Sequence, residues 1–405
     1  MQERVVRLFR GFLFLAFVTT CSGVATSCVR QTPDKVTLRV NLFPYLPDAA
    51  GDNLEGVSRR IKSEFEQENR SVNLEVTLNK DNDFYNVENY KDWLMRFDVV
   101  EPDTLFLSDL LSAGLIEDWG RADESDWQLP AREAATVNGK VYALPHWLCG
   151  YFLFSRDAHI AKAENIKDLV AALQAPHGDI PETVGNLNSS WETPTLYLES
   201  WEDNYAPKDP SEAISAVLDP ETIRCLKEFC RQGEWKGKNP CLDKTFKDNN
   251  LAANMFAKSE AETTFGYSET LFDILKRAPG DSSIILSPLV LGNGDHPLLF
   301  MDGFVLRKGC NKEVREAARK FAEYMENART YTWIVMSRDG GATETPRYLI
   351  PATASAFEAD PIRSDGYYQA IRAAVKLGSS FPNSGLPLAR HAMQTAILKE
   401  LQPSP

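Results

Sequence analysis

Val36, Leu38, Val40 and Leu42 alternate with polar residues, the period of a half-buried strand, and Pro44 and Pro47 break the run into a loop. Leu54, Val57, Ile61 and Phe65 then recur at helical spacing, so 52–68 reads as an amphipathic helix. Alternation returns at Val72, Leu74 and Val76, which makes the opening β-α-β. The pattern predicts a third strand over 97–100, a helix over 105–114, and a turn at Asn138-Gly139 between short strands. Farther on, 166–174, 211–232 (around Ile214, Val217, Ile223 and Leu226), 313–326 and 389–401 carry helical patterning. The stretch 177–210, rich in Pro, Asn, Ser and Glu, reads as loops. Strands alternating with helices predict an α/β architecture.

A chain of 405 residues, 43% hydrophobic and 25% charged, has room for two domains with buried cores. Its formal net charge is −13. So acidic a surface disfavours nucleic acid and anionic lipid surfaces as partners and suits a cationic ligand. At the N-terminus, Arg4, Arg7 and Arg10 precede an apolar stretch from Phe12 to Val18 and then small residues up to Cys28. That order is the pattern of an export signal over 1–27, too short in its apolar part to span a bilayer. Ala25-Thr26-Ser27-Cys28 resembles a bacterial lipobox, with Ala where Leu is usual, and makes Cys28 a candidate lipid anchor; plain cleavage without lipid is the alternative. If Cys21 leaves with the signal and Cys28 takes lipid, Cys149, Cys225, Cys230, Cys241 and Cys310 remain, and an odd number leaves at least one free thiol. The last four could supply two disulfides, leaving Cys149 unpaired.

The familiar catalytic signatures are missing. Five scattered His form no zinc-type spacing, Gly266-Tyr267-Ser268-Glu269 lacks the second Gly of a nucleophile elbow, and Gly292-Asn293-Gly294 is too short for a phosphate loop. No metal or cofactor is expected. What remains is Cys149 in Leu144-Pro145-His146-Trp147-Leu148-Cys149-Gly150. A thiol needs a base to become a nucleophile, and His146, three residues away on a strand, points to the other face. Taken alone, a Cys flanked by Leu148 and, three residues on, by Phe152 reads as a buried structural residue. Glu269 reads alone as a loop carboxylate, yet it shares a face with Tyr267 if the chain stays extended, and Gly266 permits close backbone approach to a ligand. Asp302, inside the apolar run 298–306, needs a partner if buried. Asp103 follows a strand end, where ligand crevices often begin. Phe43, Tyr45, Tyr85, Tyr90 and Tyr267 are candidate ring platforms, although each singly is better explained by packing.

Phe43-Pro44-Tyr45-Leu46-Pro47-Asp48, the Asp98…Asp103…Gly114 stretch, Leu144-Pro145-His146-Trp147-Leu148-Cys149, Phe265-Gly266-Tyr267-Ser268-Glu269 and Tyr348-Leu349-Ile350-Pro351-Ala352 occur in that order. In this the chain resembles thiaminase I (thiamine pyridinylase) over most of 36–401, and more distantly the type II periplasmic solute-binding proteins. The resemblance implies a two-lobed α/β fold with a ligand cleft between the lobes. Lobe 1 would be discontinuous, 34–150 plus 300–385; lobe 2 would be 151–299, with a C-terminal helix and tail over 386–405. It implies Cys149 as nucleophile toward the aminopyrimidine of thiamine and Glu269 as the base. Asp103 and Asp302 would be acidic pocket residues, and Phe43, Tyr45, Tyr267 and either Tyr85 or Tyr90, with Tyr90 preferred, its aromatic walls. The chain departs from the family at Phe43, where Tyr is usual, and at Asn250, near another expected aromatic. The expected partners are thiamine and a small nucleophile (pyridine, aniline or a thiol), acting on an exported monomer. The alternative is a non-catalytic thiamine-, pyrimidine- or other solute-binding lipoprotein of a transporter, which would need neither the thiol nor its base.

Overall fold

The computed structural model describes residues 35–44, 54–78, 83–120, 122–174, 180–247, 249–338, 341–342 and 345–402. The export segment 1–27, Cys21, Cys28 and Tyr45 lie outside these residues. In chain order the strands are β1 (Val36–Leu42), β2 (Val72–Leu78), β3 (Val99–Val100), β4 (Ile116–Glu117), β5 (Thr136–Val137), β6 (Lys140–Val141), β7 (Ala143–Cys149) and β8 (Tyr151–Ser155). They continue as β9 (Thr183–Val184), β10 (Thr263–Tyr267), β11 (Ile285–Pro288), β12 (Leu298–Arg307), β13 (Ser337–Arg338), β14 (Gly341–Ala342), β15 (Ile350–Pro351) and β16 (Ser379–Ser380).

The predicted opening is present. β1 and β2 pair in parallel, Val36 opposite Val72 and Leu42 opposite Leu78, and the helix Glu55–Glu68 connects them, burying Val57, Ile61 and Phe65. These strands belong to an eight-stranded sheet in the order β15-β7-β12-β3-β1-β2, with β4 and β16 also pairing with β12. A second sheet has the order β11-β8-β10-β9. The chain passes from one sheet to the other at Cys149-Gly150-Tyr151 and again between β11 and β12. The two passages touch: a Cβ on Gly150 would lie 2.6 Å from Leu299 Cδ2 and 3.3 Å from the Leu298 carbonyl oxygen, so glycine is required there. Carboxylates of the helix Glu192–Tyr205 hold the second passage. Asp203 accepts the Leu291 N–H at 2.7 Å and the His296 N–H at 2.8 Å, and Glu199 accepts the Leu298 N–H at 3.1 Å.

The structure corrects several readings of the pattern. The stretch 177–210 is not all loop: it contains β9 and the helix Glu192–Tyr205. That helix buries polar Thr193, Thr195, Glu199, Ser200, Glu202 and Asp203 as fully as Leu196 and Leu198, so no apolar stripe betrays it. Pro194 is tolerated because it falls in the first turn. The helix expected over 211–232 begins only at Pro220, where Asp219 caps it by accepting the Thr222 N–H at 2.8 Å, and Val217 is 85% exposed. The strand expected over 97–100 is just Val99–Val100. The segment 105–114 divides into a 3₁₀ turn, Thr104–Phe106, and a helix, Leu107–Ser112, with Gly114 at φ +67° after its end. Asn138 and Gly139, both at positive φ, make the predicted turn between β5 and β6.

No disulfide forms among the described residues. Cys149, Cys225, Cys230, Cys241 and Cys310 are all free thiols, so the two bridges that the last four could have supplied are not made. Cys225 and Cys230 share one helix and are buried in it, Cys225 beside Asn204 and Cys230 beside Asn239. Being unpaired therefore does not single out Cys149. Its position does.

Candidate active site

Cys149 is the last residue of β7, opposite Phe300 of β12. The pairing slips between Asp302 opposite Trp147 and Gly303 opposite Pro145, so His146 is an extra, bulged residue. Trp147 and Cys149, two residues apart, both line a cavity of about 150 Å³. His146 turns away, as expected: it is buried beside Trp147 and Phe304, and its Nδ1 is hydrogen-bonded to Glu101. Glu101 in turn accepts the Phe43 N–H at 3.0 Å, fixing the backbone that carries one cavity wall.

Glu269 reaches the same cavity from the second sheet. It follows β10 and immediately precedes the helix Thr270–Arg277, and Ser268 Oγ donates to its Oε2 at 3.4 Å. The glycine before it, Gly266, serves packing rather than a ligand, since a Cβ there would lie 2.6 Å from Thr270 Oγ1. Asp103 and Asp302 enter from a β-bridge between their backbones. Asp103 Oδ1 also accepts the Leu105 N–H at 3.0 Å, capping the 3₁₀ turn. The apolar stretch around Asp302 is therefore a strand with one residue turned into a cavity.

Burial shapes the electrostatics. Loss of solvent pushes the Glu269 carboxyl up to about 7, near the value that suits proton transfer at neutral pH. Asp103 is likewise raised to about 7 by burial, and Asp302 well above the ordinary carboxylate range by burial and the Asp103 charge. The Cys149 thiol is pushed well up by burial, then by Glu269, Asp302 and Asp103. Such a thiol is protonated at neutral pH and needs a base at the moment it attacks.

The walls are aromatic. Tyr151 and Tyr267 stack with centroids 4.7 Å apart and their hydroxyls 3.0 Å apart, and Tyr151 shares a second hydrogen bond with Thr195 Oγ1 at 2.8 Å. Phe43 and Tyr85 pack edge to face at 6.1 Å, and Tyr85 meets Trp191 at 5.2 Å. Of the residues expected here, Cys149, Glu269, Phe43, Asp103, Tyr267 and Asp302 line the one cavity. Tyr90 does not. It lies beneath the wall, its hydroxyl donating to the Phe84 carbonyl at 2.7 Å and its ring against Phe84, Trp93 and Phe106. Tyr85 takes the wall position instead, because Tyr90 falls on the inward stripe of the helix Val87–Arg96 with Trp93 and Leu94. Asn250 is exposed and outside the cavity. Sequence reasoning missed Trp191, Glu192 and Thr195, which line it too; they lie at the start of the helix Glu192–Tyr205, in a stretch whose composition reads as loop.

Comparison with known proteins finds thiaminases and solute-binding proteins. Thiaminase-1 of Paenibacillus thiaminolyticus is 26% identical to this chain over 363 residues, 86% of this chain and 83% of that protein. The structure of Clostridium botulinum thiaminase I in complex with thiamin superposes with a TM-score of 0.68 at 18% identity, covering 90% of this chain and 99% of that one. Maltose-bound MalE3 of T. maritima superposes at 0.65 with 15% identity, covering 90% and 99%. These likenesses place the two sheets and their intervening cavity in the two-lobed α/β fold of periplasmic binding proteins. The profile of bacterial extracellular solute-binding proteins matches residues 63–365, and the chain belongs to that family.

Proposed function

We infer that this protein is a thiamine-degrading transferase of the thiaminase I type, which replaces the thiazole of thiamine by another base or thiol. The observation that carries the reading is that a free thiol and a carboxyl tuned to about 7, brought from two different sheets, line one acidic, aromatic cavity. A solute receptor needs neither group. The likeness to Thiaminase-1 supports the same conclusion.

In the mechanism, Cys149 Sγ forms a bond to C6 of the aminopyrimidine while its proton passes to Glu269. The electron density released into the pyrimidine expels the thiazole, which leaves from the bridging methylene with the C–N electron pair as a neutral base. The incoming nucleophile donates its lone pair to that methylene, and Cys149 departs as a thiolate that takes its proton back from Glu269, restoring the aromatic ring. Where the nucleophile carries a proton, Glu269, ionised again by that return, takes it and releases it to solvent. Asp103 and Asp302 hold the aminopyrimidine and offset the thiazolium charge, while Phe43 and Tyr267 flank the rings. The cleft lies between lobes 34–150 plus 300–385 and 151–299, and the protein acts as an exported monomer, with Cys28 as its lipid anchor. Incubation with thiamine and pyridine tests the reading: the pyridine-exchanged product forms with the native protein and is lost in Cys149→Ser. Absence of product from the native protein would leave the solute-binding alternative.

A further inference from the structure

The mechanism uses three of the carboxylates that line the cavity and leaves out Glu192. This residue opens the helix Glu192–Tyr205, its N–H held by Ser189 Oγ at 2.9 Å. Among the described residues it forms no ion pair with a Lys, Arg or His. Its position differs from that of the other three acids. The charges acting on Cys149 are Glu269, Asp302 and Asp103, whereas Glu192 acts on Tyr151 and Tyr267. In the lining of the cavity it follows Trp191 directly, with Thr195, the hydrogen-bond partner of Tyr151, three residues on and Tyr85 against the Trp191 ring at 5.2 Å.

Resting on the thiaminase reading, we propose that Glu192, with Trp191 and Tyr85 as flat walls, forms the subsite for the exchanged ring and selects ligands in which that ring is cationic. The chemistry requires such a place. In thiamine the thiazolium nitrogen bears the positive charge; when the C–N bond breaks, the pair returns to nitrogen and the ring leaves neutral. An incoming pyridine arrives neutral and becomes a pyridinium when its lone pair bonds to the methylene. One flat ring in one place alternates between charged and neutral. Trp191 is already covered by the Arg390 guanidinium, 4.1 Å from its centroid, and Arg390 is hydrogen-bonded to Ser190 Oγ. Trp191 thus supplies a fixed surface rather than charge, and Glu192 supplies the charge. Burial makes its carboxylate costly without a cation nearby, and raises its pKa accordingly. A cationic ring relieves that cost; a neutral ring of the same shape does not.

The test measures binding in the Cys149→Ser background, so that thiamine is not consumed. The ligands are thiamine and 3-deazathiamin, its neutral isostere. Adding Glu192→Gln should weaken thiamine about tenfold or more and leave the neutral isostere unchanged, while Glu192→Asp keeps most of the preference for the cation. Equal loss for both ligands would make Glu192 a packing residue and overturn the proposal, as would no loss for either. If the Cys149→Ser parent binds neither ligand, the thiaminase reading falls and this inference with it. If the charge-selective pattern holds but the native protein exchanges no base, the subsite stands and only catalysis fails.

Discussion

Asp103 and Asp302, almost 200 positions apart in the chain, face each other across a β-bridge and present both carboxyl groups to one cavity. Among the described residues, neither has a Lys or Arg ion-pair partner. Burial pushes both upward, and the Asp103 charge raises Asp302 further, so the cavity holds acid groups that a cation would complete. This pair, Glu269 and Glu192 give the binding site its charge, and the predictions below follow from it.

Cys149→Ser should lower base exchange more than about 10³-fold without changing the thermal transition, because it removes the attacking sulfur and alters one atom of packing. Glu269→Gln should cost about 10²–10⁴-fold, the range for losing a positioned base. Steady-state exchange with pyridine, alongside thermal melts of both variants, measures this. Full activity in either variant would remove that residue from the mechanism.

Activity should rise with pH through about 7. As the proposed base, Glu269 can take a proton only when ionised, and its raised value of about 7 means that the fraction ionised falls as pH drops through that point. The limb should appear in the pH profile of kcat/KM for thiamine. A flat profile between pH 5.5 and 8, probe conditions chosen to bracket about 7, would contradict the assignment.

The unliganded protein should be more stable near pH 5 than near pH 8. Glu269 and Asp103 at about 7 and Glu326 at about 8 all lie above the unfolded carboxylate value. The folded state therefore binds more protons than the unfolded state between about pH 4 and 8, and stability falls as pH rises through that window. Saturating thiamine should restore part of the loss at pH 8, because a bound ligand stabilises the folded state by mass action. Melting temperatures across pH, with and without thiamine, check both signs.

Thiol titration in denaturant should find all five of Cys149, Cys225, Cys230, Cys241 and Cys310 reduced. In the folded protein, buried Cys225, Cys230 and Cys241 should react slowly. Thiamine should slow labelling of Cys149 and leave Cys310, far along the chain and outside the cavity, unaffected. Mass spectrometry after alkylation separates the sites; any bridge among the five would be seen as missing label.

The amino-acid sequence by itself determined the local elements whose periodicity is clean. The β-α-β opening, the Asn138-Gly139 turn and the helix Lys312–Glu326 follow from apolar spacing and turn chemistry, which act over a few residues. The motifs around Cys149 and Glu269 were also legible, through their likeness to a known family. Only the tertiary structure decided which residues share the cavity. It set Tyr85 on the wall and Tyr90 behind it, because helix phase and the Phe84 carbonyl are three-dimensional facts. It also brought in Trp191 and Glu192 from the start of a helix whose buried face is as polar as it is apolar, a surface that no hydrophobic pattern can announce. Periodicity records which side of an element is dry; it does not record which distant carboxylates the fold places around the same sulfur.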